Sequence, residues 1–326
     1  MSLGFSDPLV IDPRGVSIGV ELEACYQLSS PEDKTMALSE VHDILGVAMW
    51  RGVGIHGLFE VPQQSKELKL DKVRRLAEGN FVVRSDERII PNDESAKEYG
   101  VRITTPIFNN RAWEKFMLVM MDGLQSSGRF KFNHTTGLNI HVGKERGGKF
   151  SLEELKRVSK AIVLFERHMS ATHPIRDPSK KPGPELISYS FCNETPRLKN
   201  LSTKEKIGLI ESISEECILF DCMNYDRGDS TGKRYTYNLR SNDRFGTIEF
   251  RQAAGTLDYE LTNYWIREVI TFVWRACRTG EVKFLEMAEY GIKEGDYVAF
   301  GLPFRHWTEH PGCTIPCYDT DSDEDL

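Results

Sequence analysis

The sequence predicts a single soluble domain that mixes amphipathic helices with short strands. Three observations carry this: capped helical runs with apolar faces, four stretches of apolar/polar alternation, and no repeat or long linker to divide the chain. At 326 residues the chain is long enough for a large core and near the size at which cores begin to split. Hydrophobic residues make up 40% and charged residues 28%, the balance of an ordinary globular protein, which excludes a wholly disordered or fibrous chain.

Taken in order, residues 1–15 read as an N-terminal extension without the basic start or apolar core of a secretory signal, so the expected location is cytoplasmic. No 18-residue apolar run occurs, so no membrane partner is expected. The domain is expected over 16–310 and an acidic disordered tail over 311–326. In that tail Asp319, Asp321, Asp323, Glu324 and Asp325 supply five of the seven net negative charges, leaving −7 less these five, a body near −2. A nearly neutral body argues against nucleic acid as a partner. The seven scattered cysteines lack the density of a disulfide framework and read as reduced, mostly buried thiols.

Ser151-Leu-Glu-Glu154 has the form of a capping box and opens a helix with Leu152, Leu155, Val158, Ile162 and Phe165 on one face. Ser202 and Glu205 open another, carried through Ile207, Ile210, Ile213 and Cys217. Asp258 caps a third, whose wide apolar face (Leu261, Trp265, Val269, Phe272, Val273, Ala276) suits packing under a sheet. Weaker helical patterns cover 33–45, 66–78, 111–126 and 281–290. The Pro-rich, basic loop from His173 to Glu185, with Arg176, reads as a lid or an ordinary surface loop. His306, His310, Cys313 and Cys317 lack the spacing of a zinc ribbon or finger and read as a packed loop.

Four strands place chemistry on one face. In Ser17–Glu23, Ile18, Val20 and Leu22 alternate with Gly19, Glu21 and Glu23. By itself an E-x-E pair most often marks a solvated face; on a buried face it needs a cation or basic group. Gly100–Pro106 presents Arg102 with Thr104, Thr136–Gly143 presents Asn139 with His141, and Thr247–Arg251 presents Thr247, Glu249 and Arg251. Together these would line a polar sheet with carboxylates, an imidazole, an amide and guanidiniums, a composition suited to a divalent cation and polyphosphate. Mg²⁺ prefers oxygen ligands and arginine forks match phosphate, so a magnesium nucleotide is the expected guest. No Walker A or Rossmann glycine pattern occurs, and Gly52–Gly57 reads as a turn.

Gly19-Val-Glu-Leu-Glu23, Val83-Arg-Ser-Asp86 ahead of Val101-Arg-Ile-Thr-Thr-Pro106, Gly137-Leu-Asn-Ile-His-Val142, and Thr247-Ile-Glu-Phe-Arg251 with Gly255-Thr-Leu-Asp258 resemble, in order, the motifs of the amidoligase family. That family is related to glutamate-cysteine ligases and glutamine synthetase. The resemblance runs from about residue 16 to 280. It implies an α+β fold with a curved, mostly antiparallel sheet forming a funnel backed by helices. It also implies ATP-dependent ligation of a carboxylate and an amine, on small molecules or peptides, through an acyl phosphate. By motif position Glu21, Glu23 and Glu249 would be Mg²⁺ ligands, Arg251 a phosphate clamp with Asn139 near the phosphates, and His141 a group beside the phosphates or the nucleophile.

The chain departs from the family pattern where Arg102 replaces a usual Glu, Asn139 a His, and Ala253 a His. A guanidinium in place of a carboxylate would eject a metal from that position. Arg102 is accordingly expected to bind substrate, as is Arg176, which follows His173-Pro174 much as an Arg follows Pro in the family, and the alternatives are a binding or regulatory protein and an ATP-independent acyl-transfer enzyme on the same fold.

Overall fold

Alternation of β-branched and polar residues from Val16 onward matches the period of a strand, and in the computed structural model it forms the central strand β1, Val16–Gln27. The structure describes residues 15–28, 38–41, 43–46, 81–91, 98–109, 111–133, 135–172, 191–225 and 235–302. Residues 1–14, Gly52–Gly57, the loop from His173 to Glu185 with Arg176, and the segment from His306 through the acidic tail lie outside them, as does the helix expected over 66–78.

β1 runs four residues beyond Glu23 because both halves find partners. Residues 21–27 pair with β3, Glu98–Thr104, residues 16–22 pair with β5, Gly137–Lys144, and Cys25 and Tyr26 pair with the short β4, Phe130–Lys131. β2, Val82–Ser85, extends the sheet past β3, while β7, Thr247–Ala254, and β6, Tyr237–Asn238, extend it past β5. The order is β2-β3-β1-β5-β7-β6, with β4 on β1, and every pairing is antiparallel.

The apolar face presents Ile18, Val20, Leu22, Val101, Ile103, Leu138, Ile140, Val142, Ile248 and Phe250, all buried. Helices cover it. α1 is Ala112–Ser127 and α2 is Leu152–Thr172; the latter opens with the expected capping box, Glu154 N–H donating to Ser151 Oγ and Ser151 N–H to Glu154 Oε2. Asp258 accepts from Leu261 N–H at 2.9 Å, as expected, and its helix, Tyr259–Arg278, packs against α2 and β5. Phe250 meets Phe272 edge-on at 6.3 Å, and Phe272 meets Phe165 of α2 at 6.2 Å, a chain of rings from sheet to helix layer. Burying one such ring contributes about 1.5–3 kcal/mol. The chain therefore has an α+β fold, a mostly antiparallel open sheet backed by helices, and no helix among the described residues is long and apolar enough to cross a membrane.

The run from Ser202 to Cys217 is not one helix. It forms Thr203–Ser212 and Glu216–Met223, with Ile213 extended between them. Ser212 Oγ donates to Leu209 O at 2.8 Å, a local bond that competes with the helical ladder, and β-branched Ile213 takes the extended conformation that follows. The helices at 111–126 and 281–290 occur as Ala112–Ser127 and Glu281–Tyr290; of 33–45, residues 38–41 and 43–45 are described as helical.

Candidate active site

Register brings the polar residues together. Glu21 lies between Thr104 and Asn139, Glu23 opposite Arg102, and His141 between Gly19 and Glu249, which in turn faces Asn238. Directly paired residues share a face, so five strands contribute to one surface, and Arg84 of β2 joins it opposite Arg102. The β5–β7 register shifts so that Leu138 pairs with Ala253 and Ile140 with Phe250, leaving Arg251 and Gln252 against Asn139. This bulge keeps both Phe250 and Ala253 on the core side. Ala253, at a position where histidine was expected by resemblance, is thus a core residue in this chain.

The face is polar yet shielded. Glu21 is 7% exposed, Glu23 3%, Arg102 4%, Glu249 5% and Arg251 1%, which rules out an ordinary solvated strand face. Burial at this level disfavours a lone charge strongly, so each must be compensated.

Two networks supply that compensation. In the first, Arg102 Nη1 donates to Glu21 Oε2 at 2.9 Å, and Nη2 donates to Glu23 Oε1 at 2.5 Å and to Asp86 Oδ2. Asn139 Nδ2 donates to Glu23 Oε1 at 3.2 Å and Thr104 Oγ1 to Glu21 Oε1 at 3.3 Å. Arg88 grips Asp86 through Nε at 3.0 Å and Nη2 at 2.8 Å, and Arg84 Nη2 lies 3.6 Å from Glu21 Oε1. Burial by itself would lower the Arg102 pKa, but Glu21, Glu23 and Asp86 together hold it raised. Asp86 reaches the site because its backbone sits hard against Gly100, where a Cβ would stand 2.4 Å from Asp86 O and 2.7 Å from Ile89 Cβ.

In the second network, Glu249 Oε1 accepts from Arg251 Nη1 at 2.6 Å and Oε2 from Asn238 Nδ2 at 2.8 Å. Burial pushes the Glu249 carboxyl up, but the Arg251 charge, helped by His141 and Asn238, outweighs it and holds the group below its ordinary value. Glu249 is therefore ionised at neutral pH. His141 Nδ1 lies 3.1 Å from Thr247 Oγ1, which itself lies 2.8 Å from Ser241 Oγ, while Nε2 is 3.8 Å from Glu249 Oε1.

One oxygen or nitrogen from each of Glu21, His141 and Glu249 lies within 4.8 Å of the others, close enough for all three to ligate one ion. The donor chemistry fits a divalent cation of the Mg²⁺ or Mn²⁺ type, two carboxylates with one imidazole. With the proton on Nδ1, Thr247 orients His141 and leaves the Nε2 lone pair toward Glu249, the arrangement that supporting hydrogen bonds give metal-binding histidines. The buried acceptors Asn139 Oδ1 and Asn238 Oδ1 have no hydrogen-bond partner among the described residues, which suits a nearby cation or its bound water.

Of the residues singled out from sequence, Glu21, Asn139, His141, Glu249 and Arg251 meet on this face. Glu23 meets them too, but its carboxylate is engaged by Arg102 and Asn139 and lies outside the three-residue donor group. Arg102, expected to reach a substrate, has both terminal nitrogens on carboxylates; Arg176 lies outside the described residues. Arg88 and Asn238 were missed, and Asp86 and Arg84 had appeared only within a motif. Arg84 and Asn238 sit in strands of four and two residues, too short for their alternation to announce such roles, and Asp86 and Arg88 lie in the turn that follows β2.

Buried sulfur offers little as an alternative nucleophile. Among the described residues Cys25, Cys192 and Cys222 are buried, and burial pushes the Cys192 thiol well up, Cys222 to about 11 and Cys277 to about 12. Such thiols stay protonated and unreactive at neutral pH.

No curated protein matches the chain. The family model described as "Putative amidoligase enzyme" matches residues 15–273, which takes in the seven strands of the described residues, α1, α2 and most of the helix Tyr259–Arg278. With that span matched, the chain belongs to the putative amidoligase family.

Proposed function

We propose that the protein is an ATP-dependent ligase that joins a carboxylate to an amine, acting in the cytoplasm on a small molecule or peptide. The observation that carries this reading is the convergence of Glu21, His141 and Glu249 within 4.8 Å beside Arg251. Such a group suits a divalent cation that shields polyphosphate charge, with a guanidinium next to it for the transferred phosphoryl group. The reading carries with it the funnel-shaped, glutamine synthetase-like site.

In the proposed reaction an oxygen of the acid attacks the γ-phosphorus of ATP and ADP leaves, giving an acyl phosphate. The amine nitrogen then attacks the acyl carbon, phosphate departs with the former carboxylate oxygen, and the amine gives up a proton. Glu21, His141 and Glu249 would hold Mg²⁺, which supplies charge neutralisation at the phosphates. Glu23 supports this set from behind, through the shared Arg102. Arg251, fixed by Glu249 at 2.6 Å, would brace the phosphoryl oxygens with the Asn139 amide. The anion-binding role first given to Arg102 passes to Arg84 and Arg88, whose side chains are 42% and 39% exposed at the rim. Arg176 would add to them.

The test is calorimetric titration of Mg-ATP into the full chain and into Glu21→Gln. Micromolar binding, weakened at least tenfold by the substitution, is expected. No heat at millimolar nucleotide with a folded protein would remove ATP from the account.

A further inference from the structure

Three carboxylates of this site, Glu21, Glu23 and Asp86, converge on one point, and a side chain occupies it. Arg102 donates to all three with two nitrogens. Its guanidinium comes from β3, opposite Glu23 in the register, and Gly100 brings the Asp86 backbone close enough to complete the ring of oxygens. Convergent buried carboxylates are the usual setting of a divalent cation; here the positive charge is covalently attached to the sheet.

The charges around the face agree. Among the described residues, Glu21, Glu23, Asp86 and Glu249 meet Arg84, Arg88, Arg102 and Arg251, so carboxylates and guanidiniums are equal in number there before any ion enters. One divalent ion at Glu21, His141 and Glu249 leaves an excess of two positive charges for an anionic guest to neutralise. A second ion at Glu23 and Asp86 would have to displace the two charge-assisted hydrogen bonds that Arg102 makes there and sit against its guanidinium.

We propose that Arg102 is a resident cation, a positioning residue that takes the place of a second divalent ion, so that the chain binds one such ion and not two. This rests on the ion-binding reading above for the first ion alone. Arg102 also fixes where Glu21 points, through Nη1 to Oε2. It thereby couples the filled position to the open one.

The experiment counts Mn²⁺ bound per chain by electron paramagnetic resonance, in the wild type, in Arg102→Met, and in Asp86→Asn/Arg102→Met, which leaves one fewer buried charge unpaired. One ion is expected in the wild type and one more in each variant, the second held about tenfold more weakly when Asp86 is neutralised. Two ions in the wild type, or no gain in a variant that keeps the wild-type circular dichroism, would overturn the proposal. The wild-type count decides by itself if neither variant folds. Failure of the ligase reading looks different: no ion in the wild type and one in Arg102→Met would remove the first site while leaving the resident cation intact.

Discussion

Replacing Glu249 by Gln keeps the volume and the Asn238 contact but removes the charge that faces Arg251 across 2.6 Å. At an effective dielectric of ~20 two unit charges at that separation attract by about 6 kcal/mol, most of which offsets their desolvation. Removing one partner leaves the other buried and uncompensated, and Arg251 is only 1% exposed, so the substitution should cost about 3–5 kcal/mol. For a chain of this size that corresponds to a melting temperature lower by roughly 10 °C. Calorimetric melts of Glu249→Gln, Arg251→Met and the pair give the decisive cycle: the double variant should recover most of the loss, because an unpaired charge is then no longer buried. The pH dependence has a fixed sign. Glu249 has a folded pKa below its ordinary value, so its contribution is present above the unfolded value of 4.5 and is lost as pH falls through the folded one. The gap between wild type and Glu249→Gln should therefore narrow in acid below that value. A single-variant loss under about 1 kcal/mol, the range of exposed pairs, or losses that add in the double variant, would show that the Glu249–Arg251 pair is not coupled in this way.

Gly100→Ala forces a Cβ to 2.4 Å from Asp86 O, so it should destabilise the chain by about 1–3 kcal/mol in urea unfolding and part Asp86 from Arg102. Asp258→Ala removes the cap on Leu261 N–H and should cost about 1 kcal/mol, leaving nucleotide binding unchanged. Arg84→Ala and Arg88→Ala, at exposed rim positions, should shift the melt by under about 1 kcal/mol yet raise KM for the acid substrate with little change in kcat. Mn²⁺ at about 100 times its dissociation constant should stabilise the wild type by about 2.7 kcal/mol, and Glu21→Gln should abolish that gain.

Strands of seven or more residues announced themselves, because Ile18, Val20 and Leu22 against Glu21 and Glu23 form a period that only a strand can satisfy. The Ser151, Ser202 and Asp258 caps were equally legible, since a cap is a local interaction between residues three apart. What could not be read was long-range. Asp86 joins Glu23 only because a turn packs against Gly100, and Asn238 reaches Glu249 from a two-residue strand. The break at Ile213 was hidden because its spacing continues the helical period even though its backbone does not. Arg102 stood out by residue type, but whether its guanidinium faced a guest or three carboxylates depended on the register of β1 against β3.

The most direct test of the ligase reading incubates the full chain with ATP, Mg²⁺, a panel of carboxylic acids and hydroxylamine, a small nucleophile that stands in for the amine. Hydroxamate and ADP are expected one to one with an accepted acid, and neither product in Arg251→Met. Hydroxamate formed without ATP, or with release of AMP and pyrophosphate in place of ADP, would contradict it.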